Sequence, residues 1–427
     1  RMRVFDGARL VGEMPVAALV DECPLYDLQP RKPEQPIYGA PLATAEITLA
    51  SAPRDVLLAI LSSPNISSRR PLFERYDAIV QSRTVRRPEQ ADAAVLALPD
   101  GGALAVSIDC NGRRVAADPY TGAVEAVVEC AANLACVGAS ALGTTNNLNF
   151  GNPEKPHVAW QLCESVRGLG DACRALRAPI VGGNVSLYNE GAAGPIYPTP
   201  VVGMVGRLPD ARRAGRIGFA REGHRIALLG PFAPELAASE LAKLLGQPLP
   251  DGLAPIELAD VARAHDAVRD GVREGTLASA HDIAEGGLAT ALAECCLAGG
   301  LGARLQLRDD FWAAVSPSPA ALDRAHAAAR TDGRDVASAL FGEGAGGFLV
   351  SGEADALERL VRDGVRVLDL GVVAGADTSA AAAAPAAAGE AAGGSLTIAD
   401  AVAGELLLEV TLAELAGAHA RLAELFA

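Results

Sequence analysis

Gly182-Gly183-Asn184-Val185-Ser186, just after the apolar pair Ile180-Val181, is the most chemically informative stretch of the chain. Two glycines let the backbone approach a ligand closely and offer its N–H groups to phosphate oxygens. Asn184 adds a carbonyl oxygen suited to Mg²⁺ and Ser186 a hydroxyl. The same five residues also fit a plain tight turn. Residues 144–156 (TTNNLNFGNPEKP) read as an irregular polar loop able to contact a nucleotide or its metal, or as helix capping around Asn146 and Asn147. Asp109-Cys110-Asn111-Gly112-Arg113-Arg114 sets a carboxylate beside two guanidiniums. That grouping suits Mg²⁺ with a phosphate and equally a satisfied surface turn. In residues 280–288 (AHDIAEGGL), Asp282 and Glu285 precede a helix whose N-terminus would hold an anion or be capped by these carboxylates, while His281 reads as a packed or hydrogen-bonded histidine.

These residues need elements to hold them. Residues 24–36 (PLYDLQPRKPEQP), with four prolines, read as an extended linker. Beyond it the pattern predicts helices at 53–62 and 72–76, and a hairpin of strands 93–98 and 103–108 turning at Pro99-Asp100-Gly101-Gly102. Helices at about 122–137 and 156–176 flank residues 146–153, which are too rich in Asn, Gly and Pro to read as regular structure. A strand at 200–205 closes this unit, and residues 209–223, with four arginines and few apolar residues, mark a boundary. A strand at 225–229 and helices at 234–245, 258–274 and 286–297 predict an α/β domain. The expected division is 1–40, 41–208 and 209–427, with 376–394 a low-complexity loop.

Composition narrows the function. Half of the 427 residues are apolar, only 4% are aromatic and the net charge is −15, so the chain reads as globular, with no basic block for nucleic acid or an anionic membrane surface. None of the three lysines, Lys32, Lys155 and Lys243, follows a Gly-rich loop, so a Walker-type phosphate loop is absent. The eight cysteines form no Cys-x-x-Cys pair and read as reduced, mostly buried thiols. No signal peptide or apolar run of membrane-spanning length is present, which makes the cytoplasm the expected compartment. No nucleophile elbow, metalloprotease helix or dinucleotide fingerprint occurs, and no catalytic nucleophile is expected.

Taken in order, NISSRRPLFERYD, DAAVL, DCNGRRVAADPYTGA, TTNNLNFGNPEKP, PIVGGNVSLYNE, IYPTPVVGMVG and SAHDIAEGGLATALAE closely resemble the C-terminal half of the phosphoribosylformylglycinamidine synthase family, within the aminoimidazole ribonucleotide synthetase-like superfamily. The resemblance implies a mixed α/β fold: a two-domain unit whose N-terminal sheet domain pairs with a pseudo-symmetric unit, followed by a C-terminal α/β domain. Residues 1–40 would be the tail of that preceding unit. It further implies ATP-dependent conversion of formylglycinamide ribonucleotide to its amidine, in which the amide oxygen is phosphorylated and ammonia then displaces phosphate. A glutaminase subunit would supply the ammonia, with a small bridging subunit alongside. By motif match Gly183 and Asn146 would contact ATP, Asn184 would ligate Mg²⁺ and Ser186 would touch substrate. Asn146 stands where the family carries Asp, keeping an acceptor but losing the charge. The family's catalytic His belongs to the first unit, and no His precedes His157 here, so this chain alone is expected to be inactive. Asp109, Asp282 and Glu343 match an auxiliary nucleotide and metal site. The family pattern is broken after Glu343, which is therefore expected to be a solvated carboxylate. Two other readings remain open: a non-catalytic half that supplies pairing surface and an auxiliary nucleotide, or another ATP-using enzyme of the superfamily.

Overall fold

A computed structural model describes residues 1–192, 194–315, 330–331, 334–362, 364–375 and 394–426. Most of the expected low-complexity loop at 376–394 lies outside them. The chain opens with a hairpin, β1 (Met2–Asp6) and β2 (Arg9–Met14), followed by a single turn, Ala17–Val20. Helix α1 (Pro53–Leu61) begins with proline at its first position, where the missing N–H costs nothing. Its Val56, Leu57, Ile60 and Leu61 are buried in the core of the second sheet domain, with Ala45, Ile47 and Leu49 against them. The division expected at residue 41 therefore changes: this segment packs with the second domain, because its apolar side chains find their complement there.

The first domain is a six-stranded sheet of order β3-β4-β5-β8-β6-β7, made of β3 (Thr84–Arg86), β4 (Ala94–Ala97), β5 (Ala103–Asp109), β6 (Ser140–Asn149), β7 (Ile180–Ser186) and β8 (Thr199–Leu208). The β4–β5 hairpin forms as expected. Helices α2 (Gly112–Ala117), α3 (Pro119–Cys136) and α4 (Pro156–Ala175) follow β5 and β6. Asn111 and Asp118 cap α2 and α3 by accepting backbone N–H groups. Strands β6 and β7 are parallel, joined through α4, and β8 runs antiparallel to both β5 and β6. Two expectations fail here. Residues 146–149 and 182–186 are strand, because β7 and β8 supply hydrogen-bond partners on both sides of β6 and Leu148 turns into the core. Tertiary pairing overrides the poor strand propensity of Asn and Gly.

One face of this sheet is covered by helices: Ala103, Ala105, Ser107, Val202, Met204 and Leu208 are buried on it. The opposite face is bare and apolar at its centre, with Ile108 73%, Val106 42% and Val205 39% exposed.

The second domain is a seven-stranded sheet of order β10-β12-β9-β13-β11-β14-β15. Its elements are β9 (Arg225–Leu229), α5 (Glu240–Leu244), α6 (Leu258–Glu274), β10 (Ser279–Asp282), α7 (Gly287–Gly299), β11 (Gly302–Leu307), α8 (Asp309–Val315), α9 (Val336–Phe341), β12 (Phe348–Gly352), α10 (Ala354–Arg362), β13 (Val367–Ala374), β14 (Ser395–Asp400), β15 (Glu405–Thr411) and α11 (Leu412–His419). The helix expected at 234–245 shrinks to α5, because Glu235 exchanges backbone hydrogen bonds of 3.0 and 2.9 Å with Glu343.

The two ends of the chain share a pattern. In β1–β2, Asp6 faces Arg9 and Phe5 faces Leu10, then a bulge precedes Val4 opposite Gly12, Arg3 opposite Glu13 and Met2 opposite Met14. In β14–β15, Asp400 faces Glu405 and Ala399 faces Leu406, then a bulge precedes Ile398 opposite Leu408, Thr397 opposite Glu409 and Leu396 opposite Val410. Both hairpins run into a helical turn. The C-terminal copy lies parallel against β11, whereas Val4, Phe5, Leu10 and Val11 of the N-terminal copy are exposed. No helix among the described residues is long and apolar enough to cross a membrane.

Candidate functional site

The C-terminal ends of the parallel pair β6 and β7 bring together all four residues singled out around the glycines. Asn146 is the register partner of Gly183, Asn147 of Asn184 and Asn149 of Ser186. Side chains alternate along a strand, so the four divide between two faces. Gly183 lies beside the Asn146 side chain, and a Cβ added to it would sit 2.6 Å from Asn146 Oδ1 and 2.7 Å from the Asn146 carbonyl oxygen. Only glycine allows this approach. Asn184 and Ser186 belong to the bare face. Asn184 Nδ2 donates to Asn147 Oδ1 at 3.0 Å, which leaves Asn184 Oδ1 as the outward oxygen. Ser186 Oγ accepts from Asn189 Nδ2 at 3.1 Å.

Asp109 ends β5 and shares a row with Val202, Asn146 and Gly183 across the sheet. Two strand spacings put its backbone about 10 Å from that of Asn146. It points to the helix-covered side, where Asn133 Nδ2 of α3 donates to its Oδ2 at 3.4 Å and Glu129 is a hydrogen-bond partner. Asp282, at the end of β10, and Glu285 face the same group. Burial first, then Glu285 and Asp282, hold Asp109 well above the usual carboxylate range. Glu129 is raised likewise by burial and by Asp109, and Asp282 is pushed up to about 8 by burial and Asp92. Sequence reasoning placed Asp109 and Asp282 in one site but missed Glu129 and Asn133. Their four-residue spacing on one helix face was the signal available.

His281 lies between two carboxylates, with Nδ1 2.8 Å from Asp92 Oδ1 and Nε2 3.0 Å from Glu294 Oε2. Burial opposes its charge, but Asp92 and Glu294 hold its pKa well above the ordinary value. The helix α7 is not capped by Asp282 or Glu285, as the spacing suggested. Glu285 accepts from Asn111 Nδ2 at 3.0 Å, and the N–H of Gly286 donates to Glu343 Oε1 at 2.8 Å.

Glu343 is the clearest correction. It is 3% exposed rather than solvated, and its Oε1 also accepts the Glu240 N–H at 2.7 Å. The carboxylate thus meets the first turns of α5 and α7 together. Burial pushes it up to about 8 against the pull of Arg114. Arg114 is no surface turn residue: it is buried and held by Glu125 through two hydrogen bonds of 2.6 Å. Arg114 Nη1 stands 3.9 Å from Glu343 Oε2. Both atoms lack a hydrogen-bond partner and border a cavity of about 20 Å³, room for a single water.

Residues 90–208 match AIR synthase related protein, N-terminal domain, and residues 221–383 match AIR synthase related protein, C-terminal domain. The phosphoribosylformylglycinamidine synthase subunit PurL of Moorella thermoacetica is 45% identical over 316 residues, covering 73% of this chain and 42% of that protein. The Anaeromyxobacter subunit of the same name is 39% identical over 396 residues, covering 88% of this chain and 48% of that one. The chain thus spans about half the length of the curated relatives it matches. Among solved structures, Thermotoga maritima PurL complexed with FGAR superposes with a TM-score of 0.62 at 15% identity, covering 84% of this chain and 52% of that one. This last likeness shows the fold. With both domains matched in order and PurL subunits as its relatives, the chain belongs to the AIR synthase-related family.

Proposed function

We propose that this chain is the C-terminal half of an ATP-dependent ligase that converts formylglycinamide ribonucleotide to formylglycinamidine ribonucleotide, with the nucleotide held between this half and a preceding unit of the same fold. One observation carries the reading: Asn184 and Ser186 stand at the edge of the bare face of the first sheet, the same face that exposes the apolar Val106, Ile108 and Val205 two and three strands away, where a second sheet would pack. The N-terminal hairpin supports it. Its bulge and register repeat those of β14–β15, as expected of the last hairpin of a preceding unit.

The residues fit the group they would hold. Asn184 Oδ1 is an outward, hard oxygen donor without a hydrogen-bond partner among the described residues, suited to Mg²⁺ as one ligand among others from the nucleotide and the partner unit. When bound, ATP would supply the phosphoryl group and Mg²⁺ would neutralise its charge. Gly183 gives the nucleotide an approach to the backbone, Asn146 an amide contact, and Ser186 a hydroxyl for the substrate. None of these side chains is a nucleophile, in keeping with chemistry that depends on positioning and fixed dipoles. Asp109, Glu129, Asn133 and Asp282 form a second oxygen-donor set whose mutual repulsion a divalent cation would relieve, which favours an auxiliary nucleotide and metal on the helix-covered side. In the family's setting, a glutaminase subunit and a small bridging subunit complete the assembly, in the cytoplasm.

The test is Asn184→Ala in the full-length protein. Turnover should fall about 100-fold with the melting temperature unchanged, since the exposed side chain makes a single hydrogen bond among the described residues, to Asn147. Wild-type kinetics would overturn the assignment and leave this half a supporting role.

A further inference from the structure

Residues 209–223 carry Arg212, Arg213, Arg216 and Arg221, which the chemistry above does not use. The fold makes part of this stretch one wall of a groove of about 420 Å³, whose lining includes Arg216, Arg221, His224, Thr276 and Glu353. Its cations are poorly matched. Arg221 Nη1 reaches Glu353 Oε1 at 3.3 Å, and His224 Nε2 reaches the same oxygen at 3.4 Å. Glu353 itself is 69% exposed. Arg216 makes no hydrogen bond or ion pair with its side chain among the described residues, and the buried His224 Nδ1 has no partner. Two guanidiniums and an imidazole thus line a groove whose lining has one carboxylate, Glu353, which only Arg221 and His224 reach among the described residues, in a chain whose net charge is −15.

The backbone adds to this polarity. Glu353 directly precedes α10 and its carbonyl accepts the N–H groups of Ala356 and Leu357, so the positive end of that helix opens on the groove. Across from it, the C-terminus of α6 is closed by Gly275 in the left-handed conformation (φ 77°), and Gly271 O accepts the N–H groups of Thr276 and Leu277 and the Thr276 hydroxyl. Its negative end is thereby quenched. The volume is that of a small-molecule site. Apart from His224 no aromatic side chain among the described residues lines it, so the recognised feature is the anion rather than a base.

We propose that the Arg216–Arg221–His224 groove binds a phosphate group, carried by inorganic phosphate or by a small sugar phosphate, with Glu353 as the internal anion it displaces. Two guanidiniums and an imidazole match the several acceptor oxygens of a phosphate better than a single exposed carboxylate does. The groove is separate from the residues on β6, β7 and the end of β5. It is joined to the Asp109–Asp282 group through the paired strands β10 and β12: Ala278 and Gly352 line the groove, the Ala280 N–H donates to Arg216 O at 3.0 Å, and Asp282, opposite Phe348, ends β10 about 13 Å further on.

Calorimetry on the full-length protein, stripped of divalent ions with EDTA and in low-salt buffer, tests this with two titrants, inorganic phosphate and ribose 5-phosphate. Saturable binding of either is expected. It should weaken about tenfold or more in Arg216→Gln, tighten in Glu353→Gln, and persist in Asn184→Ala and in the Asp109→Asn, Asp282→Asn double variant. Preference for ribose 5-phosphate identifies a monoester as the source, and equal or better binding of phosphate identifies the free anion. Absence of saturable binding, unchanged affinity in Arg216→Gln, or loss in the double variant instead would overturn the site. Arg216 is exposed and makes no side-chain hydrogen bond or ion pair, so the variant should fold, and its melting curve checks that.

Discussion

Arg114 and Glu125 are both buried and bind each other through two parallel hydrogen bonds of 2.6 Å. The value of such a pair lies in its completeness, since removing one partner strands a charge in a low-dielectric interior. Arg114→Ala should cost about 3–5 kcal/mol by urea denaturation, whereas the apolar double variant Arg114→Met, Glu125→Leu should come close to wild type. His265 makes a pH-dependent contribution of the opposite kind. It is buried in α6 edge-on to Phe348, with Nε2 unpartnered, and burial lowers its pKa to about 4. The unfolded chain binds this proton at about 6.5 and the folded chain only at about 4, so the stability present at neutral pH is lost as pH falls between those values. From pH 7.5 to 5 the loss should be about 2 kcal/mol. His265→Leu should flatten that limb in denaturation curves, and an unchanged slope would remove His265 as its cause.

The parallel β6–β7 pair is the element on which the nucleotide reading depends. Its close backbone contact at Gly183 leaves no space for a methyl group, because beside the Asn146 side-chain oxygen, which could turn away, the Asn146 backbone carbonyl oxygen of the paired strand lies 2.7 Å from the added carbon and cannot. Gly183→Ala should therefore separate the strands locally, lowering stability by about 1–3 kcal/mol and raising the KM for ATP in the full-length protein. Gly182, with nothing within 4 Å of an added Cβ, is the matched control and should tolerate alanine. Equal behaviour of the two variants would show that the contact is not what selects glycine.

Across the whole molecule, two features leave apolar surface exposed, and the proposed pairing would cover them: the bare sheet face with Ile108 73% exposed, and the N-terminal hairpin with its apolar residues outward. A covered apolar face contributes about 25 cal/mol per Å² of area removed from water, so a charge at its centre opposes assembly without touching this chain's own cores. Ile108→Asp should leave the folding of this half unchanged by circular dichroism and abolish its association with the preceding unit in sedimentation velocity. Undisturbed association would place the partner on a different surface.

Much of this could be read from residues alone. The apolar periodicity and caps located α3, α4 and α6 closely, because an amphipathic helix writes its pattern locally. The motif blocks led to the family, and the glycines, amides and carboxylates named Gly183, Asn184, Ser186, Asn146, Asp109 and Asp282 as candidates. Burial and partners were another matter. Residues 146–149 and 182–186 are strand only because neighbouring strands distant in sequence complete their hydrogen bonds, and strand pairing is a non-local property. Glu343 becomes a buried carboxylate because two helix starts, a hundred and more than fifty residues upstream, converge on it. Asn184 falls on the bare face, and Asp109 on the covered one, through a strand alternation whose register only the folded sheet sets. Residue types decided which chemistry this chain can support; the tertiary structure decided which of those groups meet, which are desolvated, and which stay exposed on an open face, because charge and hydrogen-bond energies depend on surroundings that a linear sequence does not contain.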